Sequence, residues 1–201
     1  MHKPIDFYFD FSSPYGYLGS ARIDALAAAH GRSVHWRPVL LGAVFNNVGN
    51  IPMMTIPHKA RYSWHDLERT ARFHGIPFKR PSLFPQSTQV AARAVLWLQA
   101  NRDHATAIHF AHAVYAAMFV HDQDITAPAR ILDIAAGLGV NRAALATALE
   151  TPELKNALKK EVAHAVEQGV FGAPFIIADG ESFWGFDRFD QLAALLKNGR
   201  I

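Results

Sequence analysis

The chain has 201 residues, half of them hydrophobic, with 20 Lys and Arg against 17 Asp and Glu and a formal charge of +3. It contains no cysteine, which excludes a disulfide framework, a protein thiol nucleophile and dithiol redox chemistry of its own. Its basic residues are scattered, which argues against a nucleic-acid binder and suits small anionic ligands equally well.

The segment Ile5 to Phe11 alternates apolar and polar residues and reads as a strand. Pro14 fits the first turn of a helix that runs to about His30, where Gly31 stops it. SVHWRPVLL is a second strand, ending or lying at an edge at Pro38. Residues 42 to 57 carry Gly, Asn and Pro and read as a long loop. Four or five helical segments follow, at about residues 58–75, 87–101, 104–120, 127–139 and 141–168, each with apolar residues three and four apart. After Gly169, FGAPFIIADG and ESFWGF form a hairpin across Asp179 and Gly180, and DRFDQLAALLKNG closes the chain as a helix. The order β-α-β, helical block, β-β-α predicts an α/β, thioredoxin-like fold: residues 1–41 and 169–201 form the thioredoxin-like domain, and 42–168 an inserted loop and all-helical domain.

No run approaches the roughly 18–20 apolar residues of a membrane span, and the N-terminus lacks a signal-peptide profile. A cytoplasmic protein without membrane partners is therefore expected. Among 11 histidines, His109 and His112 share a helix face, but HFAH lacks the glutamate of a zinc-protease helix, so no metal is expected. Nor is there a phosphate-binding glycine fingerprint, and GLG at 137–139 reads as a helix end.

Three stretches carry candidate chemistry: SSPYGYLG at the start of the first helix, GNIPMMTIPHKARY ahead of the helical block, and FGAPFIIADGESFWGFDR near the C-terminus. Ser12 and Ser13 stand where a thioredoxin-like protein would hold its reactive cysteines, and a serine before a helix-opening proline is also a good N-cap.

Six motifs in order, F-D-x-x-S-P-Y-x-Y-L-G at 9–19, R-P-x-L-L-G at 37–42, G-N at 49–50, P-x-K-x-R-Y at 57–62, V-F-G-x-P at 170–174 and W-G-x-D-R at 184–188, give the chain its likeness. It resembles the 2-hydroxychromene-2-carboxylate isomerases of the kappa-class glutathione transferase and DsbA-like lineage along essentially its whole length. The resemblance implies glutathione as cofactor and Ser13 as the catalytic residue beside its sulfur, with Ser12 structural. It implies that Ala173, before a cis Pro174, pairs through its backbone with the cysteinyl part. Asp187, with the backbone of Trp184, Gly185 and Phe186, would hold the γ-glutamyl end, while Asn50 and Lys59 would hold the glycyl carboxylate. Phe186 departs from the Asn or Ser common at its position, which removes one side-chain hydrogen bond. Phe45, Tyr62, Trp64 and Phe84 are candidates for an aromatic substrate pocket, with Lys59 or Arg61 for a carboxylate. The implied activity is the isomerisation of 2-hydroxychromene-2-carboxylate to trans-o-hydroxybenzylidenepyruvate in aromatic catabolism, by a homodimer. The alternatives are a kappa-like transferase and a non-catalytic peptide-binding module.

Overall fold

In the computed structural model, which describes residues 3–201, the first strand is β1 (Ile5–Phe9). It is shorter than the apolar run suggests because the chain turns at Asp10, whose carbonyl accepts from Ser13 N at 2.8 Å. Helix α1 (Pro14–Ala29) leads to β2 (Val34–Pro38), which lies parallel to β1 with Phe7 opposite Trp36. Strands β3 (Phe175–Ala178) and β4 (Glu181–Trp184) complete the sheet in the order β2-β1-β3-β4, with β1–β3 and β3–β4 antiparallel. Helix α9 (Phe189–Asn198) ends at Gly199 in the left-handed region, φ 73°, where glycine carries no Cβ penalty. This is the thioredoxin arrangement, with β2 at an edge and ending at Pro38.

Between β2 and β3 lie α2 (Leu41–Val48), α3 (Pro57–Phe73), α4 (Gln89–Asn101), α5 (His104–Phe119), α6 (Pro128–Gly137), α7 (Arg142–Glu150) and α8 (Pro152–Glu167). Two sequence expectations need correction. Residues 42–57 are not a loop: they hold most of α2 and a 3₁₀ turn over Met53–Thr55. A distant residue decides this, since the Asp10 carboxylate accepts from Leu41 N at 2.7 Å at the start of α2. Val44 is buried there, while Gly42, in the first turn, and Asn46 face outward. The single helical segment expected over 141–168 is two helices, because Thr151 takes the extended conformation that residues before proline favour and caps α8 by accepting from Leu154 N.

Alternation along β1 sends Ile5, Phe7 and Phe9 to one face and Tyr8 to the other. The first face packs on Trp36, α1, α5 and α9 in the larger core. Tyr8 joins Val44 of α2 and Leu158 and Val162 of α8 in the smaller one. Edge and tilted contacts link Phe9, Phe11, Tyr115 and Phe119 at 5.0–6.2 Å between ring centres, and so the sheet continues into the helical block. Among the described residues, no helix is long and apolar enough to cross a membrane.

Candidate functional site

Open α/β sheets bind ligands beyond the carboxyl ends of their parallel strands, and a cavity of about 1660 Å³ lies there. One wall is built mostly of backbone. Ser13 caps α1, its Oγ accepting from Gly16 N at 3.0 Å and donating to Ala173 O at 2.8 Å. The side chain thus spans from the first helix to the strand that opens with a cis Ala173–Pro174 bond. Ser13 is only 4 % exposed, so this hydroxyl has little competition from water. Gly19 allows the contact, because a Cβ there would stand 3.2 Å from Pro174 Cβ and Cγ. Past β4, Gly185 N donates to Pro174 O at 3.0 Å, and exposed Asp187 pairs with Arg188 at 3.2 Å.

Beneath this wall lies Asp10, 4 % exposed. It accepts from Ser12 N at 2.9 Å, Leu41 N at 2.7 Å and Thr88 Oγ1 at 2.7 Å. Burial pushes its carboxyl upward against the opposing pull of these three donors. Its backbone carbonyl accepts from Tyr115 Oη at 3.0 Å, and burial raises that phenol well above its ordinary value.

The facing wall is made of side chains. Phe45 comes from α2, Asn50 from the turn after it, Lys59, Arg61, Tyr62 and Trp64 from α3, and Arg80 and Phe84 from the segment before α4. Trp64 meets Phe84 edge-on at 5.0 Å, and the Arg80 guanidinium carbon stands 4.7 Å from the Trp64 ring centre. At one side Tyr15 donates to Asp66 Oδ2 at 2.9 Å, and burial together with this acceptor pushes the Tyr15 phenol upward.

Every residue singled out from sequence, catalytic, glutathione-binding or substrate-binding, lines this one cavity. Within it the environments differ. Asn50 already donates one amide hydrogen to Phe171 O at 3.0 Å. Lys59 and Arg61 are exposed and form no ion pair among the described residues. Phe186 is 6 % exposed, its ring set edge-on to His74 at 4.9 Å and tilted against Phe189 at 5.2 Å. It therefore contributes backbone and apolar surface to the cavity, and no polar side chain. His112 lies against the Trp36 ring at 5.0 Å and 3.4 Å from Asp24, and among the described residues no cluster of three His, Asp or Glu side chains is placed to hold a metal.

Sequence reading missed Asp10, Tyr15, Arg80, Thr88 and the second cis bond, Phe84–Pro85. Asp10 and Tyr15 sit inside the first motif and could have been weighed. Arg80 and Thr88 had no local signal, because only tertiary packing brings them to the cavity.

Comparison with known proteins places these features in a lineage. A model described as a DSBA-like thioredoxin domain matches residues 4–197. The chain is 31 % identical over 199 residues to a 2-hydroxychromene-2-carboxylate isomerase of Sphingobium xenophagum, with 98 % of this chain and 99 % of the relative covered. It is 29 % identical over 205 residues to glutathione S-transferase kappa 1 of Caenorhabditis elegans, covering 96 % and 90 %. A solved structure of 2-hydroxychromene-2-carboxylate isomerase superposes with a TM-score of 0.88 at 24 % identity, covering 97 % of this chain and 95 % of that one.

Proposed function

The chain belongs to the DsbA-like thioredoxin family, with the 2-hydroxychromene-2-carboxylate isomerases and kappa-class glutathione transferases among its relatives, and we propose that it is a glutathione-dependent isomerase of unsaturated aromatic keto acids. Its substrate is of the 2-hydroxychromene-2-carboxylate type, and its product a trans-o-hydroxybenzylidenepyruvate. The observation that carries this reading is the placement of the Ser13 hydroxyl, buried at the N-terminus of α1 and 2.8 Å from Ala173 O, in a chain without cysteine.

The residues present fit the tripeptide. Among the described residues the Ala173 carbonyl accepts from the Ser13 hydroxyl alone, so one of its lone pairs is open to a peptide N–H, as at a sheet edge. Asp187 offers an exposed carboxylate for an ammonium, and Lys59 a cation for a carboxylate. Asn50 keeps its second amide hydrogen for the same end. A volume of about 1660 Å³ exceeds the roughly 300–1,000 Å³ of pockets for a single small ligand, leaving room for a second molecule against the aromatic wall. Glutathione held by the Ala173 backbone, Asp187, Asn50 and Lys59 would supply a sulfur nucleophile for the conjugated double bond of the ring-opened keto acid, the chemistry that a reversible cis–trans isomerisation needs.

Ser13 makes that sulfur reactive at neutral pH. A free thiol has a pKa of about 8.5 and is a few per cent ionised there. To stabilise the thiolate, Ser13 must turn its hydrogen away from Ala173 O, exchanging a neutral hydrogen bond of about 1 kcal/mol for a charge-assisted one of roughly 1.5–3 kcal/mol. The N-terminus of α1 adds about 0.3–1 kcal/mol. The net, about 0.8–3 kcal/mol, lowers the thiol by roughly half a unit to two pKa units. Ser13 attacks nothing itself.

The test is calorimetric titration with reduced glutathione, combined with ultraviolet absorbance of the bound thiolate across pH, on wild type and Ser13→Ala. The variant is expected to raise the bound thiol by about one unit and to slow isomerisation by roughly three- to tenfold at pH 7. Unaltered turnover in Ser13→Ala defeats the role assigned to it. The full-length likeness to a kappa transferase supports a second reading with the same thiolate site, in which a conjugate is released. Product analysis with an electrophilic aryl halide separates the two.

A further inference from the structure

We infer that Arg80, held against Trp64, is the receptor for the carboxylate of the second substrate and selects aryl carboxylates over neutral aryl compounds. The inference rests on the isomerase reading of the cavity and moves the carboxylate contact away from Lys59 and Arg61.

The cations on the cavity differ in how they are held. Arg188 is committed to Asp187 at 3.2 Å. Lys59 and Arg61 project from the first turns of α3, both exposed, and no aromatic ring is placed against either among the described residues. Arg80 has its guanidinium carbon 4.7 Å from the Trp64 ring centre. Trp64 is itself buried, 7 % exposed, and braced edge-on by Phe84 at 5.0 Å. Among the described residues, no carboxylate pairs with Arg80: Asp66, the acid on the same stretch of α3, already takes Tyr15 and Arg69.

Contact with a ring uses the electron-poor face of a guanidinium and leaves its in-plane N–H fork free, the geometry that matches a carboxylate with two parallel hydrogen bonds. Because Trp64 restrains the side chain before binding, less freedom is lost when the anion arrives. Phe84, half-buried against Trp64 on the same wall of the cavity, offers apolar surface to the aryl part of the same molecule. Cation and ring surface together thus describe an aromatic anion. A flexible lysine in open solvent would attract the charge without reading the ring.

The test uses trans-cinnamate and its neutral counterpart cinnamamide as non-reacting probes. Affinities are measured by calorimetry or tryptophan fluorescence, with and without glutathione. Wild type is expected to prefer the carboxylate by about tenfold or more. Arg80→Met should reduce that preference to about twofold or less, with amide affinity and the glutathione titration unchanged, while Arg80→Lys should keep part of it. Equal binding of both probes by wild type, or a preference that Arg80→Met retains, overturns the assignment. A loss of glutathione binding alone counts against the isomerase reading and leaves the probe comparison intact, so the two failures are distinguishable. Arg80 is exposed on a connecting segment, and Arg80→Gln serves as a second neutral variant whose folding is checked by its thermal transition.

Discussion

Two aspartates of one strand segment, Asp6 and Asp10, lie four residues apart and experience opposite surroundings. Asp6, at the end of the sheet away from the cavity, accepts from Arg37 Nε at 2.6 Å and lies 3.3 Å from His35 Nδ1, while Arg37 also reaches Glu161 at 2.8 Å. Burial disfavours the Asp6 charge, yet the bonds from His35 and Arg37 outweigh it, and the carboxyl sits below its ordinary value. At the cavity end, Asp10 has no cation among the described residues and is held by two backbone amides and a threonine hydroxyl, so that burial wins and its carboxyl moves up. One strand thus carries a network of charges at one end and a buried knot of hydrogen bonds at the other. The knot joins the three segments through Ser12, Leu41 and Thr88 that enclose the cavity. The site end is therefore fastened by directional bonds to backbone rather than by charge pairing.

That contrast sets the sizes of the expected effects. Asp10→Ala strands three donors in a place without water, each costing roughly 1–3 kcal/mol when unsatisfied, and relief of the buried charge offsets only part of this. A loss of about 3 kcal/mol or more in denaturant unfolding is expected, with Asp10→Asn intermediate because it keeps one acceptor oxygen. A loss below about 1 kcal/mol for Asp10→Ala would mean that the three segments hold together without it. Next in size is Gly16→Ala. In an open helix this exchange gains roughly 0.5–1 kcal/mol, but here the new Cβ would stand 2.9 Å from Tyr115 Oη and 3.0 Å from Ser13 Cβ. Tyr115 is fully buried and bonded to Asp10 O, so it cannot yield, and a net loss of about 1–2 kcal/mol is expected. The matched control is Gly137→Ala in α6, where nothing lies within 4 Å; it should unfold no more easily than wild type.

The same division explains what could be read from sequence. The backbone-built wall announces itself locally, because a helix cap, a helix-opening proline, a strand-opening proline and the glycines beside them must be those residue types for the chain to take that path. Ser13 as a cap, Pro14 and Pro174 were legible for that reason, and with them the order of elements around the helical block. The side-chain wall leaves no such trace. Helix α2 was read as a loop because its Gly and Asn look like breakers, and the residue that caps its start, Asp10, lies 31 positions away from Leu41. Arg80 became meaningful only when α3 placed Trp64 beneath it. Thr88 likewise reaches Asp10 across 78 positions. Contacts of that sequence separation follow no periodicity, so composition and spacing could not locate them.

The smallest effect belongs to the charged end. Asp6→Asn keeps one oxygen facing Arg37 and leaves the Arg37–Glu161 bond in place. With the Asp6 side chain 29 % exposed, removal of its charge should cost about 1 kcal/mol or less at neutral pH. Its pH dependence is the sharper reading. Because the folded carboxyl lies below its ordinary value of 3.8, the unfolded chain takes up the proton first on acidification. The stability from Asp6 is therefore complete above that ordinary value and is lost as pH falls through the lower folded one. Wild type and Asp6→Asn should differ at pH 7 and converge in acid. Asp10 carries the opposite sign: its raised carboxyl favours the folded state most below 3.8, and that contribution fades as pH climbs through the folded value. Unfolding curves for Asp6→Asn and Asp10→Asn between about pH 2 and 7, a span that reaches below the ordinary carboxyl range, should accordingly move in opposite directions relative to wild type. Parallel movement would mean that the two carboxylates are held alike, and that the contrast between the ends of the strand is one of position alone.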